Sequence, residues 1–483
     1  MKIRWSRGFR LILMLLLAAA LVSVSASDAV RPLAAGTVRS LSGGRLQPLI
    51  LPSDLTEAYR RLGQAMFVPD EPGRRVGGSK KPRLWGRGAG SHVILIQLES
   101  FQNFLMRVKV EGQEVTPNLN RLAGESLYYP NVFQQIGRGN TSDAEFVANT
   151  SLYPVGNEPM FEQYADRSIP SLARLLGAQG YRTWTFHVNK ASFWNRSRMY
   201  PALGFDAYFD KPFFRPERFS RFGASDEELF RAGLKKLKQA DRAGQKIFAQ
   251  FVTVSSHSPF SIPEESVRLH MESKQAKTLL GRYAASVHYT DDALGKFIEG
   301  LRSSGLWEKS LVVVYGDHFG LNRKKYNPET IRKVLDSRYL AALDTYNVPL
   351  LIHWPGQREG EEIRQAGGQI DILPTLANLL GIRLETEPFL VFGHDLLNVR
   401  RNLIGIRYYL RTGSFVNNEV LFAAGPHGFR DGTAISLDTR KPVALRSEWR
   451  RQCEWIMEWE KLSDRYVNLL PRIPDSPKRD TGG

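Results

Sequence analysis

The sequence predicts an α/β fold, a central sheet flanked by helices, with a smaller C-terminal α+β subdomain. Three observations carry this. Short apolar runs alternate with helical patterns between residues 92 and 380, the alternation of a sheet covered on both faces. The first run, His92-Val93-Ile94-Leu95-Ile96-Gln97-Leu98, is continuous and β-branched, as suits a strand buried on both sides. After about residue 390 the pattern turns to shorter β-like pieces and one last helix.

Taken in order, residues 1–26 read as a signal peptide or an N-terminal anchor. Lys2, Arg4, Arg7 and Arg10 precede an apolar run over 11–24, and Val24-Ser25-Ala26 is a small-residue cleavage site. The protein is therefore expected to be exported, either to the extracellular face of the cell membrane or as a secreted form. Residues 27–90 read as an N-terminal extension and linker, with a helix over 53–66 capped by Ser53 or Asp54 and a Pro-, Gly- and Arg-rich stretch at 69–91. The main domain is placed at 91–390. Its strands are expected at 92–98, 181–186, 247–254, 311–315 and 348–353, and its helices at 117–126, 169–179, 226–240, 278–303 and 370–380. The smaller subdomain takes 391–470, with a β-like piece at 418–423 and a helix at 447–462, and 471–483 is a tail.

Among the 483 residues, 66 Lys and Arg face 49 Asp and Glu, a net charge of +17. This excess favours an anionic partner, and export points to an anionic membrane surface or wall polymer rather than nucleic acid. A single cysteine, Cys453, excludes an intramolecular disulfide and a cysteine-based zinc site.

In open α/β sheets ligands bind outside the carboxyl ends of the strands. Four expected strand ends carry polar residues: Glu99, His187, Ser255-Ser256-His257 and Asp317-His318. Carboxylates and imidazoles converging there suit a divalent cation such as Mn²⁺, Mg²⁺ or Zn²⁺. The stretch Gly137-Arg138-Gly139-Asn140-Thr141-Ser142-Asp143 adds a hydroxyl. Its two glycines free the backbone for close approach to a ligand. Ser142 and Glu145 fit a capping box, which puts Thr141 just ahead of a helix N-terminus, where anions are favoured. A threonine hydroxyl is a weak nucleophile near neutral pH. Metal coordination lowers such a pKa by several units, as it takes bound water from about 15.7 to about 7.

Several motifs together resemble the lipoteichoic acid synthases, glycerol-phosphate transferases of the alkaline phosphatase and sulfatase superfamily. They are Ile96-Gln97-Leu98-Glu99-Ser100, Thr116-Pro117-Asn118-Leu119, Gly139-Asn140-Thr141-Ser142-Asp143, Phe186-His187, Phe193-Trp194-Asn195-Arg196, Ser256-His257-Ser258-Pro259-Phe260, Tyr315-Gly316-Asp317-His318 and Gln369-Ile370-Asp371-Ile372-Leu373-Pro374-Thr375, in that order. The resemblance implies a sulfatase/alkaline-phosphatase-like catalytic domain. It implies that Glu99, Thr141, Asp317 and His318 hold one divalent cation, Mn²⁺ in the first place with Mg²⁺ or Zn²⁺ as alternatives. Thr141 would then take glycerol phosphate from a phosphatidylglycerol-like lipid and pass it to the end of a glycerol-phosphate polymer. His187, Asn189, Trp194, Arg196 and His257 fall at substrate-binding positions, and Arg196 would grip the phosphate with two parallel hydrogen bonds. A phosphodiesterase or phosphatase on the same scaffold is the alternative, since water can replace the acceptor. A non-catalytic binder of anionic wall polymer would have no need of a buried hydroxyl on a metal.

Overall fold

The computed structural model describes residues 39–40, 49, 51–66, 68–69, 82–321 and 326–473. The expected leader, most of the extension and residues 474–483 of the tail lie outside the described residues. Seven strands build the centre: β1 (His92–Leu98), β2 (Leu127–Phe133), β3 (Arg182–His187), β4 (Ala207–Phe209), β5 (Ile247–Val252), β6 (Ser310–Gly316) and β7 (Asn347–His353). They lie in the order β4-β3-β5-β1-β6-β7-β2. The run from β4 to β6 is parallel, and β7 pairs antiparallel with both β6 and β2. Six of the seven strands therefore deliver their carboxyl ends to one edge.

The continuous apolar run behaves as its composition requires, with all seven residues of β1 buried. Val93 and Leu95, with Leu311 and Val313 of β6, face one hydrophobic cluster. Ile94, Ile96 and Leu98, with Val312 and Val314, face another on the opposite side. Each such side chain contributes roughly 1.5–3 kcal/mol on burial. The first face is covered by α3 (Thr141–Thr150), α4 (Leu172–Ala178) and α8 (Ile372–Leu380); the second by α2 (Pro117–Ala123), α6 (Asp226–Arg242) and α7 (Leu279–Ser303). Further helices, besides shorter ones, are α1 (Ser53–Met66), α5 (Arg196–Leu203) and α9 (Ser447–Leu469).

Strands β2 and β4 are the central strands outside the expected set, and β2 has a physical reason to hide. Pro130 interrupts it, and opposite this proline the pairing with β7 shifts register between Val348 and Leu350. The irregularity absorbs a residue that has no N–H to give. The Pro130 carbonyl is taken instead by the Asn103 and Asn347 side chains.

Beyond the main sheet, β8 (Leu403–Gly405), β9 (Phe415–Asn417), β10 (Val420–Gly425), β11 (Gly428–Ser436) and β12 (Pro442–Val443) form an antiparallel meander in chain order. Phe415, Val416, Leu421 and Phe422 belong to the same hydrophobic cluster as α3 and α8, so this region shares its core with the main sheet. Helix α9 runs to Leu469, past the expected 462, and meets α1. There Tyr59 stacks on Trp459 at 4.9 Å and Arg465 pairs with Asp54 at 2.7 Å. Among the described residues no helix is long and apolar enough to cross a membrane.

Candidate active site

The turn between β2 and α3 is built around Asp143. Its carboxylate accepts the backbone N–H groups of Gly137 at 3.1 Å, Gly139 at 2.9 Å and Met160 at 3.0 Å. A Cβ on Gly139 would stand 2.5 Å from Asp143 Oδ1. The two glycines therefore admit Asp143, not a ligand as expected. Burial pushes the Asp143 carboxyl up to about 6, against these three N–H donors.

Helix α3 starts at Thr141 with Asn140 as its N-cap residue, so Thr141 is the first helical residue rather than the one before. The expected capping box is absent. Ser142 Oγ donates back to the Gly139 carbonyl at 3.1 Å. Glu145 faces inward, where one oxygen accepts Arg196 Nε at 3.0 Å and Nη2 at 2.6 Å. The other accepts the Tyr200 hydroxyl at 2.9 Å and Gln250 Nε2 at 3.2 Å. A buried carboxylate is stabilised far more by a guanidinium than by a backbone N–H at a helix end, which is why the cap loses.

Glu99 follows β1, and Asp317 and His318 follow β6, its parallel neighbour, so all three arrive at one edge. One ligand atom from each lies within 4.8 Å of the others, and all three residues are buried. Thr141 Oγ1 donates to Glu99 Oε2 at 3.0 Å and stands 3.1 Å from His318 Nε2. His318 Nδ1 faces the Phe319 carbonyl at 3.0 Å. A carbonyl only accepts, so Nδ1 carries the proton and Nε2 presents its lone pair to the site. Burial lowers the His318 pKa, against the neighbouring Glu99. Asp317 Oδ1 accepts the N–H groups of Ser100 and His318, both at 2.6 Å. Asp317 Oδ2 is buried with no hydrogen-bond partner. Burial and then the neighbouring Glu99 drive the Asp317 carboxyl well above the usual range. Burial also acts to raise Glu99, but the imidazoles of His257 and His318 and the hydroxyls of Ser100 and Thr141 hold it below its ordinary value. Two carboxylates, a bare imidazole nitrogen and a hydroxyl, aimed at one point with an orphaned oxygen among them, fit a divalent cation.

Four buried glutamines, to which the sequence alone assigns no role, hold this set in place. Gln97 Nε2 donates to the Thr141 carbonyl at 3.0 Å. Gln369 Nε2 donates to the carbonyls of Gly316 at 2.9 Å and Asp317 at 2.6 Å. Gln134 Oε1 accepts Phe319 N–H at 3.0 Å, and Gln102 Oε1 accepts Leu321 N–H at 2.8 Å. Gln97 and Gln369 fall inside two of the quoted motifs, and a polar residue inside the apolar run of β1 is a further signal for Gln97.

The other expected residues sit around this centre. His187, at the end of β3, is buried, and its Nδ1 donates to the Val252 carbonyl at 2.9 Å. Burial, followed by the Arg196 charge, pushes its pKa down to about 3, so it is neutral. His257 is half-buried; Nδ1 meets the Ser258 carbonyl at 2.6 Å and the ring packs 4.3 Å from Phe222. The adjacent Ser256 Oγ donates to the Glu99 carbonyl at 2.6 Å, tying this loop to β1. Arg196 is 1% exposed and committed to Glu145, so its fork is not open to a phosphate. Only Nη1 remains, 3.5 Å from the Phe193 carbonyl. Trp194 is half-buried in the left-handed region at φ 57°. Asn189 is half-buried, with Oδ1 accepting Lys190 N–H at 2.8 Å. Among the described residues no hydrogen bond joins Asn189 or Trp194 to the central four. A cleft of about 1160 Å³, walled by Gln135, Gly137, Arg407, Tyr408 and Tyr409, adjoins the turn before Thr141.

The sequence and the fold are similar to those of known proteins. A family profile described as Sulfatase matches residues 91–382. The chain is similar to lipoteichoic acid synthase 2 of Bacillus subtilis, 31% identical over 407 residues, and the match takes in 83% of this chain and 58% of the relative. It spans, then, less than two thirds of that curated relative's length. The solved lipoteichoic acid synthase LtaP from Listeria monocytogenes superposes with a TM-score of 0.78 at 37% identity, covering 86% of this chain and 99% of the other. An alkaline phosphatase superfamily protein from Vibrio parahaemolyticus shares the fold, with a TM-score of 0.66 at 18% identity over 88% of this chain and 98% of its own. By its matched domain and its superposition over nearly the whole of a solved member, the chain belongs to the sulfatase family, in its lipoteichoic acid synthase group.

Proposed function

We propose that the protein is a metal-dependent phosphoglycerol transferase acting outside the cytoplasm. It moves glycerol phosphate from a phosphatidylglycerol-like lipid to the terminal hydroxyl of a lipoteichoic-acid-type acceptor, through a phospho-threonine at Thr141. The observation that carries this reading is Thr141 Oγ1 within 3.0 Å of Glu99 Oε2 and 3.1 Å of His318 Nε2, at the N-terminus of α3.

Glu99, Asp317, His318 and Thr141 would hold the cation, Mn²⁺ in the first place with Mg²⁺ or Zn²⁺ as alternatives. When bound it lowers the pKa of the hydroxyl and offsets charge on the phosphoryl oxygens. The first N–H groups of α3 add their partial positive charge. Thr141 Oγ1 forms the new bond to phosphorus and its proton leaves toward Glu99 Oε2. The bond from phosphorus to the diacylglycerol oxygen breaks, and His257 Nε2 supplies that oxygen with a proton. In the second step His257 takes a proton from the acceptor hydroxyl, whose oxygen attacks the same phosphorus; the bond from phosphorus to Thr141 Oγ1 breaks, and Glu99 Oε2 returns its proton to that oxygen. His187 Nε2, which carries a lone pair, would accept a glycerol hydroxyl, and Trp194 and Asn189 would border the glycerol. The net charge of +17 suits a protein working on an anionic membrane surface.

The test is mass spectrometry of the protein incubated with phosphatidylglycerol and Mn²⁺. A glycerol-phosphate adduct on Thr141 is expected, and its absence during turnover overturns the covalent route. Free glycerol phosphate as the sole product would favour the hydrolase reading, and a lengthened acceptor the transferase.

A further inference from the structure

The backbone just before Thr141 is held in a conformation that its own residue disfavours. Asn140 has φ 44° and ψ −103°, a region that glycine occupies freely and other residues rarely enter. Its side chain does not cap α3. Instead Asn140 Oδ1 accepts the hydroxyl of Tyr409, which lies in the link between β8 and β9. The ring of Tyr409 packs edge-on against Phe319 at 4.9 Å, and Phe319 follows the ligand His318. One side chain thus touches both the turn that presents Thr141 and the turn that presents His318. The link is itself anchored: Arg407 pairs with Asp464 of α9 and donates to the Pro154 carbonyl at 2.5 Å. Burial raises the Tyr409 hydroxyl to about 12, so it remains a donor across the ordinary pH range.

We propose that Tyr409 is a positioning residue for Thr141, reaching across from the C-terminal meander to hold Asn140 in the turn that aims the nucleophile. The inference rests on Thr141 acting as the nucleophile. Within the turn Asp143 braces Gly137 and Gly139, and Asn140 itself is tied through its backbone alone, by a long 3.3 Å bond from its N–H to Gly137 O and by its carbonyl, which accepts the Ala144 N–H at 2.9 Å; its side chain is held by Tyr409. A strained residue beside a reacting group persists when its surroundings over-determine it, and Tyr409 is the surrounding group that contacts it.

Tyr409→Phe tests this, because it removes the hydroxyl and keeps the ring on Phe319. In the full chain with Mn²⁺ and phosphatidylglycerol, the rate of adduct formation on Thr141 should fall roughly tenfold to a hundredfold, with little change in KM for the lipid. Adding Asn140→Gly should restore most of that rate, because glycine holds the turn without help. Without lipid, hydrogen exchange across residues 137–144 should rise in Tyr409→Phe and return toward the parent level in the double variant. A Tyr409→Phe protein that labels at the parent rate overturns the proposal. So does a lost rate that Asn140→Gly fails to restore. Should the parent protein never label, the nucleophile reading fails by itself, and the exchange measurement decides alone: unchanged exchange rejects the hold of Tyr409 on the turn, and raised exchange supports it.

Discussion

Helix α3 opens onto two buried polar clusters one turn apart, and they are built in opposite ways. At Glu145 the chain closes the charge itself. Arg196 occupies one oxygen, and Tyr200 and Gln250 occupy the other. At Thr141 the chain gathers Glu99, Asp317 and His318, leaves Asp317 Oδ2 without a partner, and among the described residues brings no Lys or Arg into hydrogen-bond contact with the three. Isolated buried charge of that kind is costly unless paired or coordinated. The first cluster is therefore a finished piece of the core. The second offers a donor set that could hold a divalent cation.

Substitutions at the two clusters should fail differently. Thr141→Ala should cut adduct formation and turnover by at least about a thousandfold while the protein stays folded; retained activity in a lipid-consumption assay would break the contrast outright. Asp317→Asn should lower Mn²⁺ affinity by at least about a hundredfold in calorimetric titration, with a normal circular dichroism spectrum. Unchanged binding would mean that the cluster is as self-contained as its neighbour. At the closed cluster the effect should fall on folding. Arg196→Ala should cost about 3–5 kcal/mol in denaturant unfolding, since it strands Glu145 without its partner, and should leave metal affinity nearly intact. A further buried carboxylate, outside both clusters, offers the mildest comparison. Glu460 on α9 is 1% exposed, neither of its oxygens has a hydrogen-bond partner, and burial raises it to about 7 despite Arg407 nearby. A folded-state pKa above the unfolded value means stability is fully present below about 4.5 and lost as pH rises through about 7. Glu460→Gln, a neutral mimic, should therefore stabilise the protein at pH 8 by ~1–3 kcal/mol and flatten that loss, as thermal melts across pH would show.

The sequence carries much of the sheet and the centre of the site, for a physical reason. Strands buried on both faces must be apolar throughout, so β1 and β6 are visible, and the polar residues at their ends, Glu99 and Asp317-His318, stand out by contrast. The hidden parts depend on partners distant in the chain. The pattern Ser142-x-x-Glu145 spells a capping box locally, yet Glu145 is claimed by Arg196, which no local pattern can show. Arg196 reads as a phosphate fork in the sequence because its partner Glu145 is invisible there. Strand β2 is hidden by Pro130, tolerated only because β7 shifts register opposite it. Tyr409 is beyond reach altogether, since it meets Asn140 across 269 residues of chain.

The meeting of α9 with α1 has a consequence for how the molecule is made. Tyr59 stacks on Trp459, and the Trp459 indole donates to the Phe392 carbonyl at 3.0 Å, so residues from opposite ends of the described chain seal one side of the core. Contacts of such long sequence separation form late and slow the folding of any chain that relies on them. A ribosome that has released only the first four hundred residues holds a sheet whose apolar flank still lacks α9. Removing α9 would leave Leu55, Leu62 and Met66 without their cover, and the truncated chain would be a substrate for chaperones and proteases rather than a smaller enzyme.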